Sequence, residues 1–227
     1  MLILPIGDIN PRRTVPYVNY LLIAVNTAVF ILLGFQENYD LIVSRYGLTP
    51  AQIKPLTFIT SMFLHGSIFH LVGNMLFLWI CGDNVEDRLG HLGFLLLYLT
   101  AGLVAGGAHI LMISPAEKMI PCIGASGAIS GIMGAYLVLF PGSRIKFWYF
   151  FFFYFFIRTG TFMLTSFWAI GFWFAEQLLL TFISSAYQMP SGVAYWAHIG
   201  GFVFAFIIVL LIRSTGIVQG GLRKKHY

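Results

Sequence analysis

The sequence predicts an all-α polytopic membrane protein of six transmembrane helices, and three observations predict it. Of 227 residues, 59% are hydrophobic and only 9% are charged, with a mean hydropathy of +0.85. A soluble domain carries roughly a quarter charged residues, so this chain lacks the polar side chains to cover a surface in water. Apolar runs of about 20 residues, the length a helix needs to cross a bilayer, recur along it. The basic residues stand at the ends of those runs, which reads as a topology signal and argues against nucleic acid as a partner despite a pI near 9.3. The length suits one compact domain over residues 1–227. The N-terminal MLILPIGDINPRR does not read as a signal peptide, because its apolar run is short and its charges lie on the wrong side.

The first span is expected at 17–35. The next apolar run, 56–81, exceeds one span and is interrupted by His65-Gly66-Ser67. Ser67 suits an N-cap, so the second helix is placed at 68–85 and residues 56–66 become a half-submerged part of the preceding loop. The third is expected at 91–113. Pro121 and Pro141 bound the fourth at 122–140. The aromatic run at 145–157 is too short to span alone and is broken by Arg158-Thr159-Gly160, so it reads as interfacial or re-entrant. The fifth helix then covers 161–183 and the sixth 193–212.

Charge decides between six spans and seven. Six spans place Arg12, Arg13, Arg88, Arg144, Lys146, Arg213, Arg223, Lys224 and Lys225 on one side, against Arg45, Lys54 and Lys118 on the other. The positive-inside rule assigns the first side, with both termini, to the cytoplasm. Cys81 and Cys122 fall near opposite faces. A disulfide needs Cα atoms within about 7 Å, so both are expected as free thiols, and two isolated cysteines make no metal site.

Polar groups inside a membrane are costly and default to function. Alternating the helices brings His70 and Asn74 (second helix), Ser126 (fourth) and His198 (sixth) into the outer leaflet, roughly 6–9 Å below their helix starts at 1.5 Å per residue. Gly127-x-x-x-Gly131 alone would read as a helix-contact motif. With an imidazole at the same depth, Ser126 reads as a nucleophile and His198 as its base, because a serine hydroxyl needs a group to take its proton. His70 and Asn74, one turn apart, are candidate donors to an oxyanion, as are the free N–H groups at the start of the serine's helix. No cofactor is called for.

At this point the sequence resembles the rhomboid family of intramembrane serine proteases. The matching pieces are HGSIFHLVGN (65–74), GDNVEDRLG (82–90), GASGAISG (124–131) and AHIGGF (197–202), in the family's order and over essentially the whole six-helix chain. The resemblance implies a rhomboid-like bundle with a membrane-associated first loop, and cleavage of membrane-spanning protein substrates by Ser126 and His198 with His70 and Asn74 at the oxyanion. It implies a mainly structural role for His65, a buried structural place for Glu86 within Gly82-x-x-x-Glu86-x-x-x-Gly90, and a small-residue seam at Gly201 and Ala205. The chain departs from the common pattern at Ser130, where many members stack an aromatic on the base, which leaves Tyr195 or Trp196 as substitutes. It also lacks the Trp-Arg pair of many first loops, so residues 36–56 must be held differently.

Trp168, Phe172 and Trp173 mark the fifth helix as a lateral gate, and 184–192 reads as a cap over a wet cavity. Glu176 reads as protonated or paired, with Gln177 or with another helix. His91 and His109 read as packing residues. A catalytically inactive relative that binds membrane proteins typically lacks the serine or the histidine, and both are present. A transporter is disfavoured by the absence of an inverted repeat, and a zinc protease by the absence of His-Glu-x-x-His. The expected location is a bacterial plasma membrane. The sequence gives neither the substrate nor the oligomeric state.

Overall fold

The computed structural model describes residues 1–154, 156–187 and 192–216. In order the elements are β1 (Leu2–Asp8), α1 (Tyr17–Leu33), α2 (Tyr39–Tyr46), α3 (Thr57–Thr60), α4 (Ile68–Met112), α5 (Ser126–Leu139), β2 (Arg144–Phe153), β3 (Phe156–Thr165), α6 (Ser166–Tyr187) and α7 (Tyr195–Ser214). By length and composition α4, α6 and α7 are long and apolar enough to cross a membrane, and α1 and α5 are shorter apolar helices.

α4 counts as two spans. Its 45 residues would measure about 67 Å as one rod, twice a bilayer core. Gly90, at φ 72 and ψ 166, breaks it into limbs 68–89 and 91–112. Only glycine takes that conformation without strain. Met62, just before the first limb, packs against Gly102 in the second, so the second limb returns beside the first. The Ser67 side chain accepts a hydrogen bond from the His70 N–H and caps the first limb where the sequence places its start.

The packing centre is the second limb of α4 with α5 and α7, held together by residues without bulk. A Cβ on Gly127 would come within 2.6 Å of Ala105, and one on Gly131 within 2.5 Å of Ala101 and 3.3 Å of Ala205. A Cβ on Gly134 would come within 2.6 Å of the Phe202 carbonyl oxygen, and one on Gly201 would overlap the carbonyl oxygen of Gly127. Small residues allow such approach between membrane helices, where dispersion and not water drives association.

Two sequence expectations are corrected. β2 and β3, which take in most of the expected interfacial segment (145–157) and the first five residues of the expected fifth helix (161–183), form an antiparallel hairpin, with Arg144 opposite Thr165 and Phe153 opposite Phe156. β1 adds a third strand along β2. The reason is local: aromatic side chains favour the pleated surface, and an unbroken aromatic run has no helical period. Arg158-Thr159-Gly160 lies within β3 and is not a break; Gly160 leaves room for the ring of Tyr149. The chain reverses instead at Tyr154, whose φ is 52. α6 therefore starts at Ser166. The fourth helix likewise starts at Ser126 and not at 122, because Cys122 is engaged in an antiparallel bridge with Leu48. Cys81 and Cys122 are free thiols.

Glu86 ties α1 to α4. It is fully buried, and its carboxyl oxygens accept the backbone N–H groups of Val18 at 3.0 Å and Asn19 at 2.7 Å, in the first turn of α1. His91 Nδ1 stands against the same carboxyl at 2.5 Å, which gives that histidine a structural partner. Glu86→Ala leaves helix-end donors unpaired inside the protein and is expected to cost roughly 2–4 kcal/mol. Thermal unfolding in detergent checks this: a fall of about 5–10 °C is expected, and an unchanged transition would remove Glu86 from this role.

Candidate active site

The first loop builds the approach to Ser126. Leu48 and Cys122 exchange both backbone hydrogen bonds (3.0 and 2.9 Å), and the Gly124 N–H donates to the Ser61 carbonyl at 2.8 Å. Tyr39 helps to hold this loop: its hydroxyl donates to the His65 carbonyl at 2.8 Å. The segment before α5 is thus anchored to the first loop at Cys122 and Gly124, and α5 opens at Ser126. Irregular backbone at membrane depth is tolerated where protein or a cavity surrounds it.

Ser126 meets α7. Its Oγ lies 2.8 Å from Nε2 of His198, and Nδ1 of the same ring lies 2.8 Å from Oε1 of Gln177 on α6. An amide oxygen only accepts, so this contact is a hydrogen bond in the tautomer with the proton on Nδ1, which turns the lone pair of Nε2 toward the Ser126 hydroxyl. The ring is flanked by Trp173 at 6.0 Å and Tyr195 at 6.5 Å between centroids. Ser130, in the position often aromatic, donates instead to the Ser126 carbonyl at 2.6 Å, within its own helix.

His70 and Asn74 face the same space. Ser126, His198, His70, Asn74, Trp173 and Val193 are among the residues lining one cavity of about 520 Å³. The Asn74 amide nitrogen lies 3.0 Å from Nε2 of His65. Burial, reinforced by the neighbouring His70 imidazole, pushes His65 down to about 4, so at neutral pH it is uncharged and accepts from Asn74. That bond fixes the amide and leaves its second N–H for the cavity. The His70 ring lies against Gly124, where a Cβ would come within 2.7 Å of Cε1. Gly124 also has φ +122, so glycine is required there on two grounds. The N–H groups of Ser126 and Gly127, in the first turn of α5, have no intrahelical acceptor and carry the positive end of its dipole.

All four site residues named from sequence therefore line one space. Gln177 was missed, although a buried polar group on an apolar helix (5% exposed) is the signal that drew attention to its neighbour Glu176. Glu176 is exposed, and Gln177 is bonded to His198. Trp168 and Phe172 are exposed and stacked on each other at 5.4 Å. Of the expected cap, residues 188–191 lie outside the described residues, and Gly192 lines the cavity.

A family model for the rhomboid domain matches residues 53–215. The chain belongs to the rhomboid family. As a rhomboid it is an integral membrane protein, and its six-helix bundle with a membrane-associated first loop is the family's. It is 31% identical over 140 residues to "Rhomboid protein 1, mitochondrial" of Saccharomyces cerevisiae, covering 58% of this chain and 39% of that protein. It is 36% identical over 138 residues to "Rhomboid protease GluP" of Bacillus subtilis, covering 58% and 26% respectively. It is 28% identical over 125 residues to "Presenilin-associated rhomboid-like protein A, mitochondrial" of Danio rerio, covering 55% and 33%. The matched segments thus span about a quarter to two fifths of these relatives' length.

The seam that joins Ser126 and His198 has no room for a side chain. Gly201→Val is expected to force α7 from α5 at a cost of about 1–3 kcal/mol. The thermal transition in detergent reports it, and a variant as stable as the parent would mean the two backbones do not meet at Gly201.

Proposed function

We propose that this rhomboid is an intramembrane serine endopeptidase acting on transmembrane segments of other proteins near the outer membrane face. The observation that carries the reading is the 2.8 Å contact between Ser126 Oγ and His198 Nε2 inside a cavity also lined by His70 and Asn74. A hydroxyl paired with an unprotonated imidazole nitrogen is an activated nucleophile, and a serine–base pair can serve without a third acid.

In this reading Oγ attacks the scissile carbonyl carbon as its proton passes to His198 Nε2. The oxyanion forms where the Asn74 amide, the His70 ring and the N–H groups at the start of α5 face the cavity. Donors aimed at developing charge are worth most in such a site. His198 then gives its proton to the departing amide nitrogen, leaving an acyl ester on Ser126. A water molecule, deprotonated by the same nitrogen, hydrolyses the ester and restores the hydroxyl. A substrate span must unwind locally before attack, because an intact helix hides its carbonyls in its own hydrogen bonds. Trp173, Phe172 and Trp168 on α6 mark the side from which such a span enters. The balance of basic residues supports cytoplasmic termini, and a C-terminal reporter found outside the cell would contradict that orientation.

Labelling with a fluorophosphonate in detergent tests the chemistry. Wild type should label, and Ser126→Ala and His198→Ala should not. Asn74→Ala should lose about 10²–10³ in kcat on a model span. A wild type that never labels would favour an inactive, membrane-protein-binding role. Equal labelling of Ser126→Ala would mean a different nucleophile.

A further inference from the structure

His198 is held from both sides, and the second hold comes from a different helix. Gln177 stands one turn after Trp173 on α6, with Oε1 2.8 Å from Nδ1 of His198. It is buried and does not line the cavity, so it lies behind the imidazole. Its oxygen fixes both the orientation and the tautomer of the ring. With that acceptor withdrawn, the ring is free to turn or to carry its proton on Nε2, and a protonated Nε2 cannot accept from Ser126. The other ionisable groups that influence or face the ring are the imidazoles of His70 and His109 on α4 and the phenol of Tyr195 on α7.

α6 is also the least embedded of the long helices. Of its 22 residues only Ser166, Ile170, Gln177 and Thr181 are buried, a single narrow face. Its first turn is pinned: the Ser166 N–H donates to Ser143 at 2.7 Å and the Phe167 N–H to Pro141 at 3.2 Å, and the Ser166 hydroxyl bonds the Phe140 carbonyl. Displacing the outer half of α6 about that pin separates Gln177 from α7.

We propose that Gln177 is the positioning residue for His198 and makes the base competent only while α6 is seated against α7. The proposal rests on the serine-protease reading above. It gives the enzyme a safeguard: while α6 stands away from α7 to admit a span, His198 is not set to activate Ser126. Reseating α6 around the bound segment completes the site.

The test compares wild type, Gln177→Met and Gln177→Glu in the full chain, after confirming that all three unfold at similar temperatures. Gln177→Met keeps the length and removes the oxygen. It should lower kcat on a model transmembrane substrate about 10- to 100-fold with KM unchanged, since the imidazolium formed in the reaction loses its acceptor. Gln177→Glu keeps an oxygen and should retain most of the wild-type kcat at its own pH optimum. Nitrogen-15 histidine NMR should find His198 of the wild type protonated on Nδ1, and that form depleted in Gln177→Met. Wild-type kcat in Gln177→Met, equal losses in both variants, or a wild-type His198 protonated on Nε2 would overturn the proposal. If wild type neither labels nor cleaves, the protease reading fails, and the nitrogen spectra still decide whether Gln177 sets the tautomer.

Discussion

The contact of Gly127 on α5 with Gly201 on α7, where not even a methyl group fits, is the constraint on which the rest depends. Ser126 precedes Gly127, and His198 stands three residues, less than one turn, before Gly201. Once the backbones touch at the glycines, the two side chains are placed within hydrogen-bonding reach. Ala105 and Ala101 on the second limb of α4 close the same seam from a third direction. In a bilayer no water is expelled when helices meet, so tight van der Waals contact has to supply the association. The packing motif and the Ser126–His198 pair are one device, because the glycines that allow the approach also fix its register.

The helix that carries Ser126 is short, and the loop makes up the difference. α5 has 14 residues, about 21 Å, less than a bilayer core. Its first residue is reached by a short stretch of strand clamped to the first loop through Leu48 and Ser61. That strand carries Gly124, which makes room for His70, and His65 just before α4 fixes Asn74. Gly66 and Ser67 at the end of the first loop, His70 and Asn74 on α4 and Ser126 at the start of α5 each line the cavity.

Much of this was legible in the sequence because hydropathy and charge are strong signals in a membrane. The helix start at Ile68 and the gathering of Ser126, His198, His70 and Asn74 around one cavity followed from apolar length, capping and alternation, whereas the second helix runs to 89, past the expected end at 85, before Gly90 breaks it. The hairpin of β2 and β3 was not legible. Hydropathy measures how apolar the run at 145–157 is and carries no information on how its backbone is paired, and the partner strand β1 lies over 130 residues away in the chain. Gln177 escaped for a different reason. Its role depends on the rotation of α6 about its axis, which places Gln177 inward and Glu176 outward, and no local pattern sets that rotation when both faces of a helix are apolar. The support of the first loop by Tyr39 is a long-range contact of the same kind.

The central claim is that this seam makes Ser126 a nucleophile toward peptide bonds inside the membrane. The most direct measurement reconstitutes the protein in liposomes with a single-span substrate whose outer half carries small, helix-weakening residues, and reads the new termini by mass spectrometry. The account predicts one principal cut within the outer half of the span, absent with Ser126→Ala. Cleavage that persists in Ser126→Ala, or an intact span after prolonged incubation with wild type, would contradict it.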